Sequence, residues 1–139
     1  MKKLITILLL IVSISCGSSL EPVLESAKSD TDYKSIIGNP VKIDKLEVAQ
    51  FDFPNGMHWD DAKKICDSLG NDWRMPNKDE LNILFQYKDR IGGFTGNWYW
   101  SSKVNENGDA WMQAFDNKIE GTGFMSKEIS LYVRAVRSF

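Results

Sequence analysis

The sequence predicts one α+β domain, and three features carry that reading. An alternating apolar run occupies residues 45–53, two stretches between residues 57 and 85 place apolar residues at helical spacing, and beyond residue 89 short alternating runs are punctuated by glycine and asparagine. Helices that precede a block of strands, instead of alternating with them, belong to the α+β class. With 139 residues, 42% hydrophobic and 26% charged, the chain has the composition of an ordinary globular protein with room for one modest core.

The chain opens MKKLITILLLIVSISCGSS: two lysines, an apolar run from Leu4 to Val12, and the small-x-small stretch Ser13-Ile14-Ser15 before Cys16. The run is too short to span a bilayer and has the layout of a secretory signal, so residues 1–15 read as a cleaved signal peptide. The stretch SISC resembles the lipobox of bacterial lipoproteins, although Ser13 stands where most such signals carry leucine. This resemblance implies that Cys16 is lipidated and holds the protein on the bacterial cell envelope, on its periplasmic face or at the surface. The alternative is an ordinary signal followed by a chance cysteine. Several acyl chains on Cys16 would meet the requirement for stable anchoring. Residues 16–40 are rich in serine, charge and proline without a sustained period, and read as a tether with a reach of roughly 25–30 Å. The folded domain is then expected over residues 41–139.

Within it, KLEVAQFDF sets Leu46, Val48 and Gln50 against Ala49, Phe51 and Phe53, as a strand would, and Pro54-Asn55-Gly56 ends it. In MHWDDAKKICDSLG, Trp59, Ala62, Ile65, Cys66 and Leu69 recur at helical spacing, with Asp60 and Asp61 at the front and Gly70 at the stop. A second helix is announced by a capping box, Asn77 to Glu80, and buries Leu81, Leu84 and Phe85. Then come WYWSS, AWMQAF, KIEGTGF and LYVRAVR, with Asp116-Asn117 as a hairpin turn. Strand alternation puts Trp98 and Trp100 on one face and Tyr99 on the other, so only one side of NWYWSS is expected to be deep core. Trp100 is the core member, and Trp98 sits at the loop edge.

The succession WDDAKKICDSLG, DWRMPNKDEL, YWSS, AW and YVRAVR, over residues 57–139, resembles the Lcl C-terminal domain family (domain of unknown function 1566). That resemblance implies a C-type-lectin-like fold, two helices on twisted antiparallel sheets, and extracytoplasmic recognition or adhesion, in some members of sugars or sulfated polysaccharides. It makes Trp59, Trp73, Arg74, Pro76, Glu80, Trp100, Trp111, Arg134 and Arg137 a structural framework. His58 replaces the usual helix-capping Thr or Ser, and Met75 the usual Leu. Many members read VRCVR at the last block, with a cysteine able to pair with one on the first helix. Here Ala135 removes that partner, so Cys66 is expected to be a buried free thiol. Arg74 needs a carboxylate to offset its desolvation, with Glu80 or Asp79 as candidates, and Arg134 and Arg137 carry similar needs.

In folds of this kind the ligand face is built from the long loops around the late strands, here roughly 88–97 and 102–109. Those loops supply Arg90, Asn97, Trp98, Lys103, Asn105, Asn107 and Asp109 as candidate ligand-binding residues, a donor and acceptor set suited to a polysaccharide or protein ligand. The alternative is a structural subunit of a surface assembly, compatible with a homo-oligomer. An enzyme of the formylglycine-generating kind needs a pair of cysteines, and the folded part has only Cys66, on the apolar stripe of a helix. The single histidine, His58, makes no multi-histidine zinc site, and Asp60 and Asp61 point different ways on a helix. No catalytic residue, cofactor or metal is therefore expected, and the run NENGD at 105–109 lacks the full pattern of a calcium loop.

The net charge of −2 falls to −4 once residues 1–15 are removed, because Lys2 and Lys3 leave and no acid does. No dense basic patch stands out, so nucleic acid is not an expected partner.

Overall fold

The computed structural model describes residues 33–119 and 121–139. The expected signal peptide, Cys16 and the expected tether as far as residue 32 lie outside the described residues. No helix among the described residues is long and apolar enough to cross a membrane.

Two antiparallel three-stranded sheets form the framework. The first joins β1 (Val41–Ile43), β2 (Leu46–Val48) and β6 (Val136–Ser138) in the order β1-β2-β6, so the two ends of the domain meet in one sheet. The second is the meander β3 (Trp98–Val104), β4 (Ala110–Ala114) and β5 (Thr122–Met125). Between the sheets in sequence stand α1 (Trp59–Ser68), α2 (Lys78–Gln86) and the single turn α3 (Lys88–Ile91). The α+β reading holds, with strands shorter than the alternating runs that announced them.

Both long helices form for the reasons visible in their sequences. At α2 the capping box closes in both directions, Glu80 N–H to Asn77 Oδ1 at 2.9 Å and Asn77 N–H to Glu80 Oε2 at 2.8 Å. These bonds satisfy donors that every helix start leaves orphaned. At α1, His58 makes no side-chain capping bond, as its replacement of Thr or Ser predicts. The first turn is held instead by its backbone, Trp59 N–H donating to Lys127 O at 3.1 Å.

The core is double, and β3 separates its halves. Trp59, Ala62 and Cys66 of α1, with Leu69 at its C-cap, pack with Trp73, Trp100, Met112, Val133 and Ala135. Leu81 and Leu84 of α2 pack with Val48, Ile91, Tyr99, Phe115 and Val136 in a second cluster. Tyr99 and Trp100, adjacent in β3, are both fully buried and point into different clusters. This corrects the expectation that only one side of NWYWSS is deep core: α1 and α2 cover opposite faces of the strand, so alternation delivers a core residue to each. The segment 131–136 obeys the same rule, with Val133 and Ala135 in the first cluster and Val136 in the second. Its backbone locks to β3 through Tyr132 N–H to Trp98 O at 3.0 Å and Trp100 N–H to Tyr132 O at 2.9 Å.

Three further expectations change. Residues 33–37 are part of the folded unit and not of the tether: Lys34–Ile36 form a 3-10 turn, Ile36 is buried, and the Tyr33 ring meets Phe53 at 5.6 Å. Phe51, placed on a strand, lies beyond β2 and is half exposed. The β4–β5 connection is a loop from Phe115 to Gly121, within which Asp116 Oδ1 accepts the Lys118 N–H at 2.8 Å, and not a two-residue turn.

Candidate recognition cleft

A buried arginine organises the loop that precedes β3. Arg134 is wholly buried, and desolvating a guanidinium demands partners for its five donors. They are the Asp52 carboxylate, reached from Nε at 2.5 Å, and four carbonyls: Ala49, Gln50 and Gly92 from Nη1 and Gly93 from Nη2 at 2.9 Å. The guanidinium also lies 4.1 Å from the centroid of the Phe94 ring. The other oxygen of Asp52 accepts the Tyr99 hydroxyl, which in turn accepts the Thr95 N–H at 2.9 Å. Burial and the neighbouring Asp52 charge push the Tyr99 phenol up, so it stays a donor. Gly92 and Gly93 take left-handed backbone angles, φ 75° and 70°, and a Cβ on Gly93 would sit 3.3 Å from Gln50 O. The paired glycines let the loop turn both carbonyls onto one guanidinium.

Above this network opens a cleft of about 430 Å³ between the 88–96 segment and the start of the β4–β5 loop. Phe94 and Phe115 form its apolar part, their ring centroids 4.6 Å apart, and Lys88, Asp89, Asp116 and Asn117 its polar rim. An aromatic floor with a few donors and acceptors of both charges is the make-up of a site for a polar ligand.

A family model of the Lcl C-terminal domain matches residues 30–137. The chain belongs to the Lcl C-terminal domain family. Among solved structures, the fold is similar to that of EMS16, an antagonist of the collagen receptor integrin alpha2beta1, with a TM-score of 0.52 at 10% identity. The match covers 72% of this chain and 97% of that one, and shows that this Lcl C-terminal domain has the C-type-lectin-like fold. No curated protein matches it significantly in sequence. Family and fold together suit a binding domain.

The candidate ligand residues of the Lcl C-terminal domain fall into two groups. Asn97 and Trp98 open β3 beside the cleft: Gly96 lines it, and Asn97 O accepts the Phe115 N–H at 2.9 Å. Arg90 is exposed on α3 next to Asp89. Lys103, Asn105, Asn107 and Asp109 lie at the other end of β3, roughly 20 Å away at the rise of a strand. There the Asn105 carboxamide is occupied by the turn, its Oδ1 accepting the N–H groups of Asn107 at 3.0 Å and Asp109 at 2.9 Å. The two groups do not meet.

Trp98 is half-buried against the first core cluster, and its ring covers Gly121 so closely that a Cβ there would come within 2.5 Å of it. It clamps the β4–β5 loop through Gly121.

Trp59, Trp73, Pro76 and Trp100 are buried. Arg74 pairs with Glu80 through two bonds of 2.7 and 2.8 Å, and Arg137 with Glu47. Trp111 belongs to neither cluster: it is half-buried on the α2 side of the meander, under the Lys78 ammonium and edge-on to Phe124. Cys66 is free and fully buried, and burial pushes its thiol up. Among the described residues, no three His, Cys, Asp or Glu side chains stand together as a metal site.

Sequence reasoning missed Asp52, Lys88, Asp89, Gly92-Gly93, Phe94 and Phe115. The glycine doublet before β3 was the one local signal, since paired glycines mark backbone that must take unusual angles. Asp52 gave none, lying within an alternating run whose period hides a buried carboxylate.

Proposed function

We propose that this chain is an exported, lipid-anchored and non-catalytic recognition domain that binds a surface or polysaccharide ligand in the cleft between the 88–96 segment and the β4–β5 loop. The observation that carries this is the Arg134 hub, whose wholly buried guanidinium makes five hydrogen bonds, three to residues 49–52 and two to the Gly92 and Gly93 carbonyls, and so fixes the loop before β3 against the segment after β2. Preorganising a loop removes ordering cost from the binding step. The signal-like opening and Cys16 support export and acylation. The inaccessible, protonated Cys66 supports the non-catalytic reading over formylglycine-type chemistry.

The assembly reading has its own support in Ile119, Phe124 and Met125, each exposed on or beside the edge strand β5. A soluble form lacking residues 1–16, applied to an array of glycans and glycosaminoglycans with and without a chelator, tests the first reading. Binding to at least one polysaccharide, unaffected by the chelator, is expected. No binding, together with a stable trimer on sizing, would replace it with the assembly reading.

A further inference from the structure

The outer strands of the two sheets are treated differently. In the first sheet β1 carries Lys42 at its centre, and β6 is covered by Arg74, which exchanges main-chain bonds of 2.8 and 2.9 Å with Val136. A charge on an edge strand, or a segment laid over it, discourages pairing with another chain. In the second sheet β3 is covered by Tyr132, but β5 has neither device. Its residues, Thr122-Gly123-Phe124-Met125, include no charge and no proline, and Thr122, Phe124 and Met125 are exposed. Register fixes which of its main-chain groups are free. Ala114 N–H donates to Gly121 O, and main-chain groups alternate in direction along a strand. Gly121, Gly123 and Met125 therefore face β4, while Thr122 and Phe124 turn their N–H and C=O groups outward, where no described residue bonds them. Gly123 is the second observation. Its φ is not left-handed, and a Cβ there would meet nothing within 4 Å, so nothing within the domain calls for glycine. A glycine inside a strand weakens it and marks the close approach of another backbone.

We propose that β5 pairs antiparallel with β5 of a second copy of this chain, about a two-fold axis at Gly123, so that the two meanders become one continuous sheet. At the axis the glycines of the two copies form a non-hydrogen-bonded pair, the position where facing Cα atoms come closest, about 4.5 Å apart. Thr122 of one copy and Phe124 of the other exchange N–H···O bonds, and the reverse pair does the same, which uses every outward group of the strand centre. Strand alternation sets the Phe124 rings of both copies on one face, each already edge-on to its own Trp111 at 5.1 Å. The same register brings the chain before one β5, with exposed Lys118, beside the chain after the other, with exposed Glu128. Opposite charges thus meet at both ends, a complementarity that a two-fold copy supplies by itself. None of residues 122–125 lines the cleft, so the pairing stands independently of what the cleft binds.

The test is disulfide trapping in the full chain in detergent, with the unsubstituted chain as the control for Cys16 and Cys66. Gly123→Cys sets its thiol against the same residue of the second copy, within the span a disulfide bridges. Met125→Cys, on the same strand and also exposed, lies more than about 13 Å from its counterpart in this register. Under a mild oxidant the first should form linked dimer at least about tenfold faster than the second. Sedimentation of the unsubstituted chain should show a monomer–dimer equilibrium. Thr122→Pro, which removes an outward N–H and no bond to β4, should shift it to monomer. Should that variant fail to fold, Lys118→Glu should weaken the dimer and Lys118→Glu with Glu128→Lys should restore it. Equal trapping at both positions, or a dimer that a folded Thr122→Pro leaves intact, would overturn the pairing. So would a chain that stays monomeric throughout. Each of these failures leaves the recognition reading of the cleft standing, since glycan binding is read separately.

Discussion

Arg134 and Asp52 are 82 residues apart in sequence and form a buried ion pair, with the arginine wholly inaccessible and the carboxylate side chain 8% exposed. The pair joins the segment after β2 to the segment before β6; Arg134 extends it to the Gly92 and Gly93 carbonyls of the loop before β3, and Tyr99 extends it to Thr95. Removing one member leaves the other charge buried and unmatched. Asp52→Ala should therefore cost about 3–5 kcal/mol in urea denaturation. Tyr99→Phe, which strands only a hydroxyl partner and the Thr95 N–H, should cost about 1–3 kcal/mol. A cost below 1 kcal/mol for Asp52→Ala would show that the hub does not hold the loop.

Glu80 closes the α2 capping box and pairs with Arg74 through the same carboxylate. Burial alone would raise its pKa, but the Arg74 hydrogen bonds, the Asn77 N–H and the Arg74 charge outweigh it and hold the carboxyl below the usual glutamate range. A depressed folded-state value contributes stability that is present above the unfolded pKa, about 4.3, and lost as the pH falls through the folded one. Stability measured from pH 7 downward should fall below about pH 4.5, and Glu80→Gln should flatten that fall while costing about 1–3 kcal/mol at neutral pH. An unchanged acid limb in the variant would assign the loss to other carboxylates.

The two tryptophans of NWYWSS are predicted to separate by degree and by place. Trp100→Ala empties a fully buried site and should cost about 3–5 kcal/mol. Trp98→Ala should cost less and raise amide exchange in residues 115–121, because it unclamps Gly121. Gly121→Ala, whose new methyl group meets the Trp98 ring, should loosen the same loop. Exchange spread evenly over the domain in either loop variant would contradict the clamp.

Cys66 should resist thiol reagents in the native protein and react once the chain is unfolded, since its sulfur is buried and its thiol is held protonated. Rapid labelling of the native state would contradict this placement. Mass analysis of the membrane-extracted protein should show acylation at Cys16, abolished by Cys16→Ala. An unmodified cysteine would remove the anchor from the proposal.

Much of this architecture was legible. The helix boundaries, the capping box and the Arg74–Glu80 pair follow from residues close together in sequence, where spacing and capping chemistry act locally. The burial of Tyr99 was not legible, because alternation tells which residues share a face but not what covers each face. The Asp52–Arg134 pair was hidden by its sequence separation. The expected loops 88–97 and 102–109 overlap the helical turn Lys88–Ile91 and the end of β3, and β3 carries them apart in space, a consequence of strand length that the run WYWSSKV did not announce.

The claim on which the rest depends is that the cleft beside the Arg134-held loop is where this domain meets its ligand. The most direct measurement compares the glycan array profile of the soluble domain with that of an Asp89→Ala, Asn117→Ala double variant, both substitutions lying on the rim and away from the core. The account predicts a bound glycan class that the double variant loses while its melting temperature stays within a few degrees. A profile that survives the double substitution unchanged would contradict it.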